Sequence, residues 1–157
     1  MKRIPLTKGR EALVDDTDYE FLSQWKWCVH DGRYAVRATR NAEGARKTIH
    51  MHRVVAERAG YTVTMHVDHK DGNGFNNQRA NLRPASHQSN LANRGPQRNN
   101  TSGFKGVVRK SGKWVAKIKV SQRTLFLGYF DSKTDAALAY NIAAREFFGE
   151  FAYQNPV

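Results

Sequence analysis

His66-Val67-Asp68-His69-Lys70-Asp71-Gly72-Asn73-Gly74-Phe75-Asn76-Asn77, continued by Asn81-Leu82-Arg83 and Ser86-His87-Gln88-Ser89-Asn90, is the stretch on which the reading of this chain turns. It sets a carboxylate beside a histidine and follows them with a run of amides. Such side chains hold a hard divalent cation against a phosphodiester and take a proton from a nearby water. Asp68-His69 reads as the end of a strand that turns through a Gly/Asn loop. Asn81-Leu82-Arg83 returns as a second strand, and Ser86 opens a helix. A hairpin feeding a helix is expected to bring Asp68 beside Asn90. Asp71 and Asn73 read as turn formers, and Asn76 and Asn77 as braces of the loop.

Composition bounds the partner. The chain has 157 residues, 39% of them hydrophobic and 11% aromatic, enough to bury a core in one ordinary domain or two small ones. A net charge of +12 and a sequence pI of about 10.1 point to a polyanion, with nucleic acid favoured over an acidic membrane. The distribution says more than the sum. No Asp or Glu lies between Asp71 and Asp131, whereas Arg79, Arg83, Arg94, Arg98, Lys105, Arg109, Lys110, Lys113, Lys117, Lys119 and Arg123 all do. A surface charged only for solubility mixes both signs.

The single cysteine, Cys28, excludes an internal disulfide and a Cys-rich zinc knuckle; it suits a reducing compartment and reads as a small core residue. Met1-Lys2-Arg3-Ile4-Pro5-Leu6 begins no apolar run of signal-peptide length, and nothing approaches the roughly 20 apolar residues of a membrane span. The expectation is a soluble, intracellular, cytoplasmic protein with no membrane association and no protein partner.

The chain divides into three stretches. Up to about Tyr61 the pattern is β-rich, with residues 25–29 and 34–38 alternating as half-buried strands around Asp31-Gly32. Residues 48–59 become apolar at helical spacing through Met51, Val54 and Val55 and stop at Gly60. The metal-site candidate occupies about 65–93. Residues 94–103, rich in Gly, Pro and Asn, read as a linker. Beyond it, Trp114, Ala116, Ile118 and Val120 share one face of a strand while Lys113, Lys117 and Lys119 share the other. Residues 125–130 form a further strand. Ser132 and Asp135 then cap a helix to about Phe148, with Ala136, Ala139, Tyr140, Ala143 and Phe147 on its buried stripe and Gly149 at its end.

The run Val67-Asp68-His69, Asp71-Gly72-Asn73, Asn77 and Asn81-Leu82-Arg83, with His87 and Asn90 on the following helix and Met51-His52-Arg53 upstream, resembles the HNH (ββα-metal) endonucleases, particularly their homing-type branch. The resemblance implies Asp68 as a metal ligand and His69 as the general base, with Asn81 bracing the hairpin and orienting the His69 backbone. Asn90 is implied as the second ligand, with His87, three residues earlier on the same helix face, as its competitor. So sparse a site suits one Mg²⁺ or Mn²⁺ completed by water and phosphate, where zinc would want a richer His/Cys set. Arg83 is a candidate to hold the phosphate.

The segments Phe104-Lys105-Gly106-Val107, Gly112-Lys113-Trp114-Val115-Ala116, Leu127-Gly128-Tyr129-Phe130 and Gly149-Glu150-Phe151-Ala152, with the alanine-rich helix between the last two, resemble the DNA-binding domain of the plant ethylene-response factors (the APETALA family). That resemblance implies a three-stranded antiparallel sheet backed by one helix, with the sheet in the major groove. Lys105, Arg109, Lys110, Lys113, Lys117, Lys119, Arg123 and Phe126 are then the DNA-facing candidates. Val108 and Thr124 stand where the family carries arginines, and lysines favour phosphate over base edges, so the plant target sequence does not transfer.

The fold expected is α+β: a β-rich nuclease domain over residues 1–93, a linker over 94–103, and a small sheet-and-helix module over 104–157. The function expected is metal-dependent cleavage of duplex DNA, of the homing or phage type. A DNA-binding regulator with a spent nuclease domain is the alternative. An RNA-binding role is disfavoured because the sheet lacks an array of exposed aromatics for stacking bases.

Overall fold

A computed structural model describes residues 1–62 and 66–157, so Met65, the expected start of the motif segment, lies outside the described residues. The fold is α+β, and the chain packs as two compact units, Met1–Ser86 and His87–Val157. The first contains β1 (Lys2–Pro5), β2 (Glu11–Val14), α1 (Asp16–Leu22), β3 (Cys28–His30), β4 (Tyr34–Arg40), β5 (Arg46–His50), α2 (Met51–Arg58), β6 (His66–His69) and β7 (Leu82–Ala85). The second contains α3 (His87–Asn93), β8 (Val107–Lys110), β9 (Lys113–Val120), β10 (Arg123–Phe130) and α4 (Lys133–Phe148). The expected boundaries at 93/94 and 103/104 both fall inside the second unit.

In the first unit β1 pairs β2, β4 lies between β3 and β5, and β6 pairs β7, all antiparallel. Their apolar faces meet α1 and α2 in a core of Ile4, Leu6, Val14, Leu22, Trp27, Met51, Val55 and Leu82. Each such side chain fully buried stabilises the fold by roughly 1.5–3 kcal/mol before conformational entropy is subtracted. Leu82 belongs to this core, which anchors the return strand of the motif hairpin. Asp18 of α1 is also buried; its carboxylate accepts from Arg58 Nε at 2.8 Å and from Arg79 Nε at 2.7 Å. One carboxylate thereby ties α1 to α2 and to the turn that leads into β7.

Two details differ from the sequence reading. Residues 48–50 end a strand instead of starting a helix, since β5 runs to His50 and α2 begins at Met51. β5 is largely exposed, so it carries no buried alternation from which to read a strand. Cys28 is exposed, not core: it lies on β3, an edge strand, where the alternation that turns Val29 partly inward turns Cys28 out.

In the second unit the sheet order is β10-β9-β8. Lys110 pairs Lys113 across the two-residue turn Ser111-Gly112, and Val120 pairs Arg123 across Ser121-Gln122, with positive φ at all four turn residues. These are the mirror-image turns that match strand twist in tight hairpins. α4 backs the sheet through Ala136, Ala137, Tyr140 and Ala144, all buried. Ser132 caps it, its hydroxyl accepting from the Thr134 N–H at 3.1 Å. The small residues allow close approach. A β-carbon at Gly106 would meet the Tyr140 ring at 2.1 Å. Phe147, expected on the buried stripe, is exposed near the helix end.

Candidate active site and nucleic-acid interface

The motif loop is seated on the N-terminal strands before any catalytic group is considered. Leu13 N–H donates to the Phe75 carbonyl, and Asn77 N–H donates to the Leu13 carbonyl, both at 2.8 Å. Gly74 makes this possible, because a β-carbon there would lie 2.2 Å from the Arg33 carbonyl oxygen and 2.7 Å from the Tyr34 ring. Within the loop Asp71 Oδ1 accepts from Asn73 N–H at 2.8 Å, and Asn73 Oδ1 accepts from Phe75 N–H at 3.1 Å, which are Asx turns. Asn81 closes it. Its amide donates to the Asn76 carbonyl at 2.8 Å and to Asp71 Oδ1 at 3.0 Å, and its oxygen accepts from Asp71 N–H at 3.2 Å.

His69 ends β6, buried at 5% exposure, with Nε2 3.2 Å from Asn77 Oδ1. Asn77 is wholly buried, and its Nδ2 donates to the Phe75 carbonyl at 3.2 Å. Its oxygen is therefore the atom turned to the imidazole, which assigns the proton to Nε2 and the lone pair of the neutral ring to Nδ1. Burial pushes the His69 pKa below its ordinary 6.5, outweighing the Asn77 hydrogen bond and the Asp71 and Asp68 carboxylates that pull it up. The ring is thus neutral near pH 7 and able to accept a proton.

Asp68 is 4% exposed and faces Arg83 across the β6–β7 pairing. Its Oδ2 accepts from Arg83 Nη2 at 2.9 Å and from Nε at 3.0 Å. Arg83, a candidate phosphate contact by sequence, is itself buried and spends these donors on the carboxylate. Among the described residues no group of three or more His, Cys, Asp and Glu is placed to hold a metal. The Asp68 carboxylate is a hard oxygen donor, which fits a cation that keeps most of its water. His87 and Asn90 both lie on α3, in the second compact unit.

Sequence reading left His52, Tyr34, His50 and Asn77 without a catalytic role. His52 of α2 stands edge-on to His69 with ring centroids 5.1 Å apart, and the Tyr34 ring lies 6.1 Å from His69 and 5.5 Å from His52. His50 extends the cluster, 5.2 Å from His52. Burial, then the neighbouring His69, His50 and Arg53, push the His52 pKa down to about 3. No spacing rule announces the bond of Asn77 to His69. A signal for His52 does exist in Met51-His52-Arg53, where a histidine interrupts the apolar stripe of a helix.

On the second unit, strand register sorts the DNA-facing candidates. Lys110 and Lys113 are paired, Lys117 faces Phe126, Lys119 faces Thr124, and Tyr129 faces Val115 and, beyond it, Val108. Directly paired residues share a side, so Lys110, Lys113, Lys117, Lys119, Phe126 and Tyr129 lie on the sheet face away from α4. Phe126 and Tyr129 are both 58% exposed, and a bulge before Gly128 brings their rings to 5.0 Å. Lys113 also pairs with Asp131. Arg109 and Arg123 fall on the opposite side of the pleat; the Arg109 guanidinium lies over Trp114 at 5.5 Å. Lys105 is not on a strand, and its ammonium is bound to main-chain oxygens.

The β6–β7 hairpin thus presents Asp68 and His69 from its first strand and closes on an amide-braced loop. Residues 50–92 match the family described as HNH endonuclease. An uncharacterised HNH endonuclease of Acanthamoeba polyphaga mimivirus is 29% identical over 160 residues, covering 96% of this chain and 77% of the viral protein. Dehydration-responsive element-binding protein 2D of Arabidopsis thaliana is 36% identical over 85 residues, 52% of this chain and 41% of the plant protein. Protein 2E of that name from Oryza sativa subsp. japonica is 45% identical over 64 residues, 39% of this chain and 20% of the rice protein. The chain thus spans well under half the length of these plant relatives, and the likeness supports an APETALA-type module beside the HNH segment. No helix among the described residues is long and apolar enough to cross a membrane.

Proposed function

We propose that this chain is a DNA endonuclease of the HNH type, homing or phage-borne in character, whose sheet module holds it on duplex DNA. The observation that carries the reading is His69: a buried neutral imidazole on the strand after Asp68, fixed through Nε2 by Asn77, inside the HNH match. His69 takes the proton of the attacking water at Nδ1 while Asn81 and Asn77 keep the loop and ring in place. Asp68 would be one ligand of a single Mg²⁺ or Mn²⁺, with Asn90 or His87 of α3 the expected second, and such a cation would supply charge stabilisation at the phosphate and its leaving oxygen. The basic sheet supports DNA as partner, and a cytoplasmic setting is part of the same reading.

A second reading, a DNA-binding regulator with a silent nuclease segment, is favoured by the Arg83 ion pair, which occupies one oxygen of Asp68. Nicking of supercoiled plasmid with Mg²⁺, Mn²⁺ or EDTA separates the two. Cleavage by the wild type with either cation, lost with EDTA and lost in His69→Ala while DNA binding persists, is expected; a loss of about 10²- to 10⁴-fold is the usual cost of removing a general base. No cleavage with any divalent cation, or wild-type rates in His69→Ala, refutes the assignment.

A further inference from the structure

Lys105 matches a DNA-facing position by sequence, yet its ammonium points elsewhere. Nζ donates to the main-chain oxygens of Leu91 at 3.1 Å, Ala92 at 2.6 Å and Arg94 at 2.6 Å. These oxygens lie at and just past the C-terminal end of α3, where the final carbonyls of a helix have no partner within it. α3 has 7 residues, and isolated helices shorter than about 12–15 residues are marginal in water. A cation at its C-terminus answers both the unpaired carbonyls and the negative end of the helix dipole. Tyr153 adds to the seat: its N–H donates to the Ala92 carbonyl at 3.2 Å, and its ring lies 5.6 Å from the ammonium.

The Lys105 backbone is fixed in turn. Its N–H donates to Asn155 Oδ1 at 2.7 Å, and its carbonyl accepts from Asn155 Nδ2 at 3.1 Å. Asn155 N–H donates to Asn141 Oδ1 at 2.7 Å, and Asn141 Nδ2 donates to the Asn155 carbonyl at 2.9 Å. Asn141 and Asn155 are both buried. A continuous polar chain therefore runs from the middle of α4 through Asn155 and Lys105 to the end of α3, all within the second unit.

We propose that Lys105 is a positioning residue that seats α3, the bearer of His87 and Asn90, on the DNA-binding module, and that it does not contact a phosphate. The proposal rests on the reading of α3 as the source of a metal ligand.

The test uses full-length Lys105→Met, which keeps the apolar stem and removes the donors, and Lys105→Arg, which restores donors. Three quantities are read: the Mg²⁺ or Mn²⁺ concentration for half-maximal nicking, the salt dependence of duplex binding, and amide hydrogen exchange in α3 and α4. In Lys105→Met the metal requirement should rise about 10- to 100-fold, the range typical when the groups that orient a metal ligand are removed. The salt slope should stay unchanged, α3 amides should exchange faster, α4 amides should not, and Lys105→Arg should recover part of the loss. A slope shallower by about 0.9 with undisturbed α3 exchange would make Lys105 a phosphate contact and overturn the proposal. Loss of α4 protection along with α3 would make it a general packing residue and overturn it too. If the wild type cuts nothing with any cation, the nuclease reading fails by itself, and the exchange arm still decides whether Lys105 seats α3.

Discussion

His52 packs edge-on against His69. Because its own pKa is held at about 3, no second positive charge arises beside the base at neutral pH. Removing its ring in His52→Ala should let His69 rotate and lower the nicking rate by on the order of 10- to 100-fold, the cost of a small misplacement of a reacting group. His52→Phe keeps the packing and should retain most of the rate; equal loss in both variants would mean that the imidazole itself is needed. Asp18 supports a separate prediction, on stability. The Arg79 and Arg58 hydrogen bonds hold its carboxyl below the ordinary 3.8. A carboxylate that ionises more easily folded than unfolded stabilises above the unfolded value, and that contribution fades as pH falls through the lower folded one. Asp18→Asn should therefore cost about 1–3 kcal/mol near neutrality, tempered because both arginines are about a third exposed and can rehydrate, and the deficit should shrink below about pH 4. Denaturant melts at neutral and acid pH check both parts. Asp68, His69 and Asn81 were legible from sequence as candidates, through the motif resemblance that implied their roles. His52 and Asn77 were not, since their roles come from burial and from which amide atom faces the ring.

β9 was legible because it buries one face and wets the other, and α4 because its alanines repeat at helical spacing between a serine cap and a glycine. The β5–α2 junction was not, because an exposed strand carries no period to read. The same register makes the cationic face testable. With Lys113 engaged by Asp131, Lys117 and Lys119 are its cleaner probes. Replacing both by Ala leaves Ala116, Ile118 and Val120 in place beneath them, so the module should stay folded while the slope of log K against log salt becomes shallower by about 0.9 for each phosphate that a lysine had neutralised. Arg109→Ala, on the other side of the pleat, should leave that slope unchanged; the opposite ranking would put the DNA on the other side. The turn Ser121-Gln122 carries φ of 45° and 70° without a glycine. Gln122→Gly should raise the melting temperature of the second unit, since a left-handed residue with a side chain costs on the order of 1 kcal/mol.

Over the whole chain, the proposed function predicts that the +12 charge and the acid-free stretch from Asp71 to Asp131 act on encounter with DNA more than on the chemical step. Raising ionic strength should lower nicking at subsaturating plasmid and leave the rate at saturating plasmid nearly unchanged, as progress curves at both concentrations would show. A parallel fall in both would place the salt effect on the chemistry instead. Residues 94–103, whose Gly, Pro and Asn signal irregular backbone, fall within the second compact unit. Asn100 and Ser102 bind that stretch to Phe104 and Val107 of the second unit. Exposed Cys28 has a practical consequence. As the chain's sole thiol, on an edge strand of the first unit, it accepts one maleimide fluorophore per molecule without any substitution. Quenching of that dye by acceptor-labelled duplexes would time the arrival of the nuclease segment at DNA independently of strand scission.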